Sequence, residues 1–218
     1  MKKINVDKIM KLLSKEFKQN EMPIIDLIKS QTDDEYKILV GTILSARTKD
    51  ETTAKVSNAL FAKAPSMLKL NKLTLKEIET LIRPINYYKN KAKYLKKLPE
   101  VLKTEFQGKI PSEIDDLIKL PGVGRKTANL VRGTAFGKPA ICVDTHVHRI
   151  SNRLGYVKTK TPLETEMALR KKLPEKYWID YNKFLVSFGQ NTCKPINPKC
   201  NKCPINQYCN RIGVSNHS

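Results

Sequence analysis

The sequence predicts an all-α protein. Apolar residues return at three- and four-residue spacing through most of its 218 residues, as in "EIETLI" and "EMALRKKL", while alternating strand-like runs are few and short. Prolines at Pro23, Pro65, Pro84, Pro99, Pro111, Pro121, Pro139, Pro162 and Pro174 punctuate these stretches, which suits many short helices joined by tight turns. A chain of this length buries a real core, as one large domain or two small ones.

The first element, "MKKINVDKIMKLLSKEF", sets Ile9, Leu12, Leu13 and Phe17 at helical spacing between lysines, an amphipathic helix and not a signal peptide. The longest apolar run, "ILVGTILSA" from Ile38, holds nine residues, far short of a bilayer span of about 20. The expectation is a soluble protein without membrane contact, cytoplasmic and nucleoid-associated in a prokaryote. Lys and Arg number 41 against 21 Asp and Glu, a formal charge of +20, so the surface attracts polyanions and nucleic acid is the leading partner.

Next comes "LIKLPGVGRKTANLV". Pro111 and Ser112 open a helix that Ser112 is expected to cap with Asp115, burying Ile114, Leu117 and Ile118, and Pro121 closes it. Gly122 and Gly124 are read as residues that permit backbone angles closed to others, and a helix restarts at Arg125 through Ala128, Val131 and Ala135. Bare N–H groups at such a turn, added to the positive end of a helix, make an anion site. Lys126 sits in that first turn beside Arg125, where the helix dipole and the neighbouring cation both disfavour an ammonium ion. Taken alone, Lys126 binds a phosphate or, when neutral, acts as a nucleophile.

The run "GTAFGKPAICVDTHVHRISNRLG" follows from Gly133. Asp144 precedes a helix marked by Val147, Ile150 and Leu154, and by itself reads as its N-cap. His146 and His148 are two residues apart, a poor spacing for a metal on a helix, and read as polar contacts.

After about Asn191 the composition turns to Cys, Pro, Asn and Lys, and core burial alone no longer accounts for order. Cys193, Cys200, Cys203 and Cys209 form C-x6-C-x2-C-x5-C in "CKPINPKCNKCPINQYC". Four thiolates this close share a metal centre; zinc favours paired C-x2-C knuckles and only one pair is present, so a cubane iron–sulfur cluster fits better than zinc. Cys142 lies in an apolar run and reads as a buried structural thiol. Lys194, Lys199 and Lys202 between the ligands would turn a basic surface to DNA.

These three motifs, in this order, resemble the endonuclease III family of helix-hairpin-helix DNA glycosylases, over about Leu27 to Cys209. The resemblance implies a two-lobed fold: a helical bundle with the hairpin at 28–138, and a discontinuous iron–sulfur domain from 1–27 and 139–218. It implies a [4Fe-4S] cluster on Cys193, Cys200, Cys203 and Cys209, with Lys126 as the Schiff-base lysine and Asp144 as the catalytic carboxylate. Gly122, Val123, Gly124, Arg125 and Thr127 become DNA contacts. "ILSARTKD" matches a segment that fills the gap left by the flipped base, with Arg47 where many members have glutamine. "INYYKNKAKYL" matches a wedge loop in which Asn86 replaces a glycine, on a left-handed backbone that Asn tolerates, and Tyr87 takes the wedge position. Without the family, Tyr87 and Tyr88 read as ordinary helix packing.

The implied function is a monomeric bifunctional enzyme of base excision repair. It removes oxidised pyrimidines from duplex DNA and cleaves abasic sites by β-elimination. Two alternatives stand beside it: a monofunctional mismatch glycosylase of the same superfamily, whose members generally lack lysine at position 126, and a non-catalytic DNA-binding protein whose cluster senses redox state.

Overall fold

The computed structural model describes residues 2–17 and 23–218; residues 18–22, which the sequence assigns to the discontinuous domain, lie outside the described residues. The described residues are helical, with twelve α-helices and three short 3-10 turns, as the periodicity predicts. The chain divides into two compact units, Ile24–Lys138 and Met1–Pro23 with Pro139–Ser218. No helix among the described residues is long and apolar enough to cross a membrane.

The unit Ile24–Lys138 is built on α3 (Glu35–Ser45), the apolar run noted above. Ile38, Leu39, Val40 and Leu44 are fully buried, and even Gly41 and Thr42 lie inside, so this helix is enclosed on all sides. It packs against α2 (Ile24–Thr32), α4 (Asp50–Lys63) and α9 (Arg125–Phe136). Gly41 permits the approach of α2, because a Cβ there would stand 2.6 Å from Ile28 Cδ1. The helices α5 (Met67–Lys72), α6 (Leu75–Leu81) and α7 (Tyr88–Phe106) close the bundle around Leu70, Ile78, Ile82, Leu95 and Leu98. The α6 start is a full capping box, with Thr74 Oγ1 accepting from Glu77 N and Glu77 Oε2 accepting from Thr74 N.

Pro99 does not end a helix as the sequence suggests. It is buried inside α7, where Leu95, Leu98 and Leu102 on the same face supply apolar burial that outweighs a proline cost of about 3 kcal/mol.

In the other unit, α1 (Val6–Phe17) lays Ile9, Met10 and Leu13 against α12 (Trp178–Asn191), with Phe17 and Phe184 rings 5.2 Å apart. Two further helices, α10 (Thr145–Leu154) and α11 (Pro162–Lys172), complete the core around Val147, Ile150, Leu169 and Leu185. Tyr181 is wholly buried, and its hydroxyl is matched by Ser151 at 3.0 Å.

Candidate active site

The glycine hairpin is anchored from below. A short helix, α8 (Ile114–Leu117), leads into it, and Leu117, Leu120 and Val123 join Ala128 and Val131 of α9 in the core. Ser112 does not cap α8: Glu113 holds that position without a side-chain bond, and Ser112 Oγ instead accepts from Lys138 at 2.6 Å. Its carbonyl and the Glu113 carboxylate take Arg132 at 3.0 and 2.6 Å, tying the hairpin's entry to the end of α9. Ile118 faces out instead of in, 43% exposed, because α8 is a single turn and its inner face ends at Leu117.

The two glycines differ. Gly122 has φ +78°, and a Cβ on it would lie 2.7 Å from the Tyr94 ring, so glycine is required on both counts. Gly124 has φ −92° and ψ 175°, open to any residue, and a Cβ there meets nothing within 4 Å. The expectation of a special backbone at Gly124 is therefore corrected: the fold does not need glycine there, and the absent side chain leaves open space at the start of α9. Arg125 and Lys126 are exposed in the first turn, and Thr127 is half-buried. The Val123 side chain is 6% exposed and belongs to the core, so only its backbone remains for a ligand.

A second constellation lies in the same unit. Arg47, just past α3, has φ +57°, and Tyr87, at the start of α7, has φ +58°. Large side chains rarely adopt this left-handed conformation, which costs roughly 1–3 kcal/mol at each position. The two face one another: the Arg47 guanidinium carbon stands 5.8 Å from the centre of the Tyr87 ring, and Arg47 Nη1 is 3.5 Å from the Tyr87 hydroxyl. Tyr87 is 60% exposed, so it is not the helix-packing residue its spacing suggests; Tyr88 packs on the core instead. The left-handed residue of this turn is Tyr87 and not Asn86. The Asn86 side-chain amide donates to the Arg47 carbonyl, and its backbone N–H donates to Thr48 Oγ1 at 3.3 Å.

Sequence reasoning missed Lys91. It is 6% exposed, and its Nζ donates to the carbonyls of Leu44 at 2.8 Å and Ala46 at 2.6 Å, with Thr48 Oγ1 at 3.4 Å. Burial pulls its pKa down to about 8. The signal was present: Lys91, Leu95, Leu98 and Leu102 share one face of α7, at the spacing of a buried stripe. Among 41 basic residues it drew no notice.

In the other unit, the buried run Ala140 to Val143 leads to Asp144, the N-cap of α10, whose Oδ1 accepts from Val147 N at 2.9 Å. The cap fixes the carboxylate by one oxygen. His146 and His148 make polar contacts, His148 Nδ1 with Thr165 Oγ1 at 2.6 Å and His146 Nδ1 with Arg149 at 3.1 Å.

Cys193, Cys200, Cys203 and Cys209 line one small cavity of about 20 Å³, walled by Ile150, Leu154, Phe188 and Ile205. All four are free thiols, and Cys142 lies apart, buried. Burial pushes the Cys203 thiol up to about 12 and raises Cys209 as well, with the neighbouring cysteines adding to both. Among the described residues no three His, Cys, Asp or Glu side chains converge as they would on a single ion. Basic groups surround the loop: Arg153 donates to Cys193 Sγ at 3.5 Å and to the carbonyls of Lys194 and Pro195 at 2.7 Å each, and Arg149 donates to the Cys193 carbonyl at 2.9 Å.

The sequence profile of the HhH-GPD superfamily base excision DNA repair protein matches residues 40–175. The chain belongs to this superfamily. The HhH-GPD match spans Arg47, Tyr87, the hairpin, Lys126 and Asp144 and stops short of the four-cysteine loop. Endonuclease III of Thermotoga maritima is 46% identical over 176 residues, 81% of this chain and 83% of that protein. A solved non-covalent endonuclease III–DNA complex superposes with a TM-score of 0.81 at 35% identity, covering 94% of each chain. A trapped endonuclease III–DNA covalent intermediate superposes at 0.75 and 37% identity, over 86% of this chain and 92% of that one. The protein is thus a base excision repair DNA glycosylase with the all-α HhH-GPD fold.

Proposed function

We propose that this chain removes oxidised pyrimidines from duplex DNA and then cleaves the abasic site by β-elimination, with Lys126 as nucleophile and Asp144 as the acting carboxylate. The observation that carries this reading is the placement of Lys126, exposed in the first turn of α9 directly behind a hairpin whose Gly124 leaves open space. DNA phosphates approach that space and the N-terminal end of α9. Arg125, Thr127 and the backbone of Gly122 to Gly124 hold the strand, and the target nucleotide leaves the stack. Arg47 and Tyr87, strained and exposed, occupy the vacated position and wedge the neighbouring step.

The neutral Lys126 amine attacks C1′, a C–N bond forms, and the glycosidic bond breaks as the base departs with a proton. Asp144 stabilises the positive charge that develops on the sugar. The resulting Schiff base acidifies the C2′ proton; its removal expels the 3′ phosphate, and hydrolysis releases the lysine. A relative trapped as a covalent intermediate with DNA supports this sequence of steps.

Cys193, Cys200, Cys203 and Cys209 hold a [4Fe-4S] cluster, which supplies the ligation energy that orders a segment with little core of its own. Thiols with raised pKa values release protons on loading. The enzyme acts as a monomer in the cytoplasm, on nucleoid DNA.

Borohydride trapping on a duplex carrying thymine glycol tests the reading. Wild type forms a covalent adduct, and Lys126→Gln forms none while still binding a duplex with an abasic-site analogue. Asp144→Asn slows base release by about 10²-fold or more. Wild type that neither traps nor nicks defeats the lyase assignment, and release of thymine from a G·T mismatch without cleavage assigns it to the monofunctional class.

A further inference from the structure

We infer that Lys91 is a positioning residue that latches the Arg47 loop in its DNA-competent conformation. The inference rests on the reading of Arg47 as a DNA contact. Residues 46–48 leave the end of α3 with Arg47 at positive φ, so the loop is held where its own backbone preference would not keep it. Two groups hold it from outside. Asn86 takes the Arg47 carbonyl and the Thr48 hydroxyl from the surface side. Lys91 takes the Leu44 and Ala46 carbonyls and the same hydroxyl from within the bundle.

The Leu44 carbonyl belongs to the last turn of α3, whose C-terminal carbonyls lack partners inside the helix. A cation there satisfies them and complements the helix dipole. Burying an ammonium group for helix capping alone is an expensive choice, since an exposed lysine or water would serve. What Lys91 adds is a link between α7 and the loop: Tyr87 opens α7, Lys91 lies one turn further on, and both ends of the Arg47–Tyr87 pair hang from one helix. The latch therefore sets the distance between the two residues that enter the duplex.

The test is a double-mutant cycle with Arg47→Ala and Lys91→Met, read as affinity for a duplex carrying an abasic-site analogue opposite each of the four bases. Arg47→Ala should weaken binding by about tenfold and flatten the preference among opposite bases. Lys91→Met should do the same, and the double variant should be no weaker than Arg47→Ala alone. Leu39→Ala serves as control, lowering the melting temperature without altering the opposite-base preference. Should Lys91→Met fail to fold, Thr48→Val removes a shared acceptor on the loop itself and should give a smaller loss in the same pattern.

Losses that multiply in the double variant, or an opposite-base preference untouched by Lys91→Met or Thr48→Val, would overturn the latch. If Arg47→Ala itself binds like wild type, the assignment of Arg47 fails and the latch falls with it, an outcome distinguishable because it appears in the single variant.

Discussion

In the unit Ile24–Lys138, α3 is enclosed by its neighbours, and its own Ile38, Leu39 and Leu44 are at 0% exposure. Among residues 192–218 of the other unit, only Pro198 and Ile205 are buried. The first segment orders itself by removing apolar surface from water at about 25 cal/mol per Å². The second has too little such surface, and four half-buried cysteines around one cavity are what it has instead. With the proposed cluster in place, one chain would use two sources of order, and substitutions should act differently on each.

The largest contrast comes from the cysteines. Replacing Cys203 with Ser removes a ligand from the proposed cluster, and residues 192–218 should lose protection from proteolysis entirely while the unit Ile24–Lys138 stays resistant. Limited digestion followed by mass spectrometry reads both segments at once; a tail as resistant as wild type would show that burial suffices there. Leu39→Ala is the complementary cut, expected to destabilise the bundle by about 2–5 kcal/mol in chemical denaturation with iron content unchanged.

A smaller loss of about 1 kcal/mol is expected for Thr74→Ala, which removes the capping box of α6 from an exposed position. No shift in the denaturation midpoint would mean that water replaces the cap. An effect that appears only on changing pH concerns Lys91, an ion inside the apolar-held unit. Its pKa is depressed to about 8, so between pH 8 and 10.5 the unfolded chain holds the proton more tightly than the folded one, and stability from this residue rises with pH across that window. Wild type should gain on Lys91→Met between pH 7.5 and 9.5 in denaturation midpoints; a constant difference would deny the depressed pKa.

The legible parts of the molecule are those whose cause is local. Ile9 and Leu13 announce α1 by their spacing, Asp144 announces the start of α10 by its place before Val147, and the four cysteines, close in the chain, line one cavity. The hairpin's Gly122 was legible for the same reason, since its left-handed angle belongs to a tight turn. Gly124 looked identical in the string and is not: the open space beside it, not its backbone, sets it apart.

Arg47 and Tyr87 were reached only by likeness to a family, and their pairing was invisible, because forty residues separate two side chains that α3 and α7 bring together. Pro99 shows the same limit from the other side, its local veto on helix overridden by the burial around it.

By itself the sequence determined the helical class, the hairpin, the cap at Asp144 and the set of four thiols, since periodicity, turn chemistry and residue count act over a few positions of chain. Only the tertiary structure decided which lysine is buried, which residues take left-handed angles and which glycine has room beside it. Those outcomes depend on what packs against a residue from distant parts of the chain, and packing energy readily exceeds local preferences of about 1 kcal/mol.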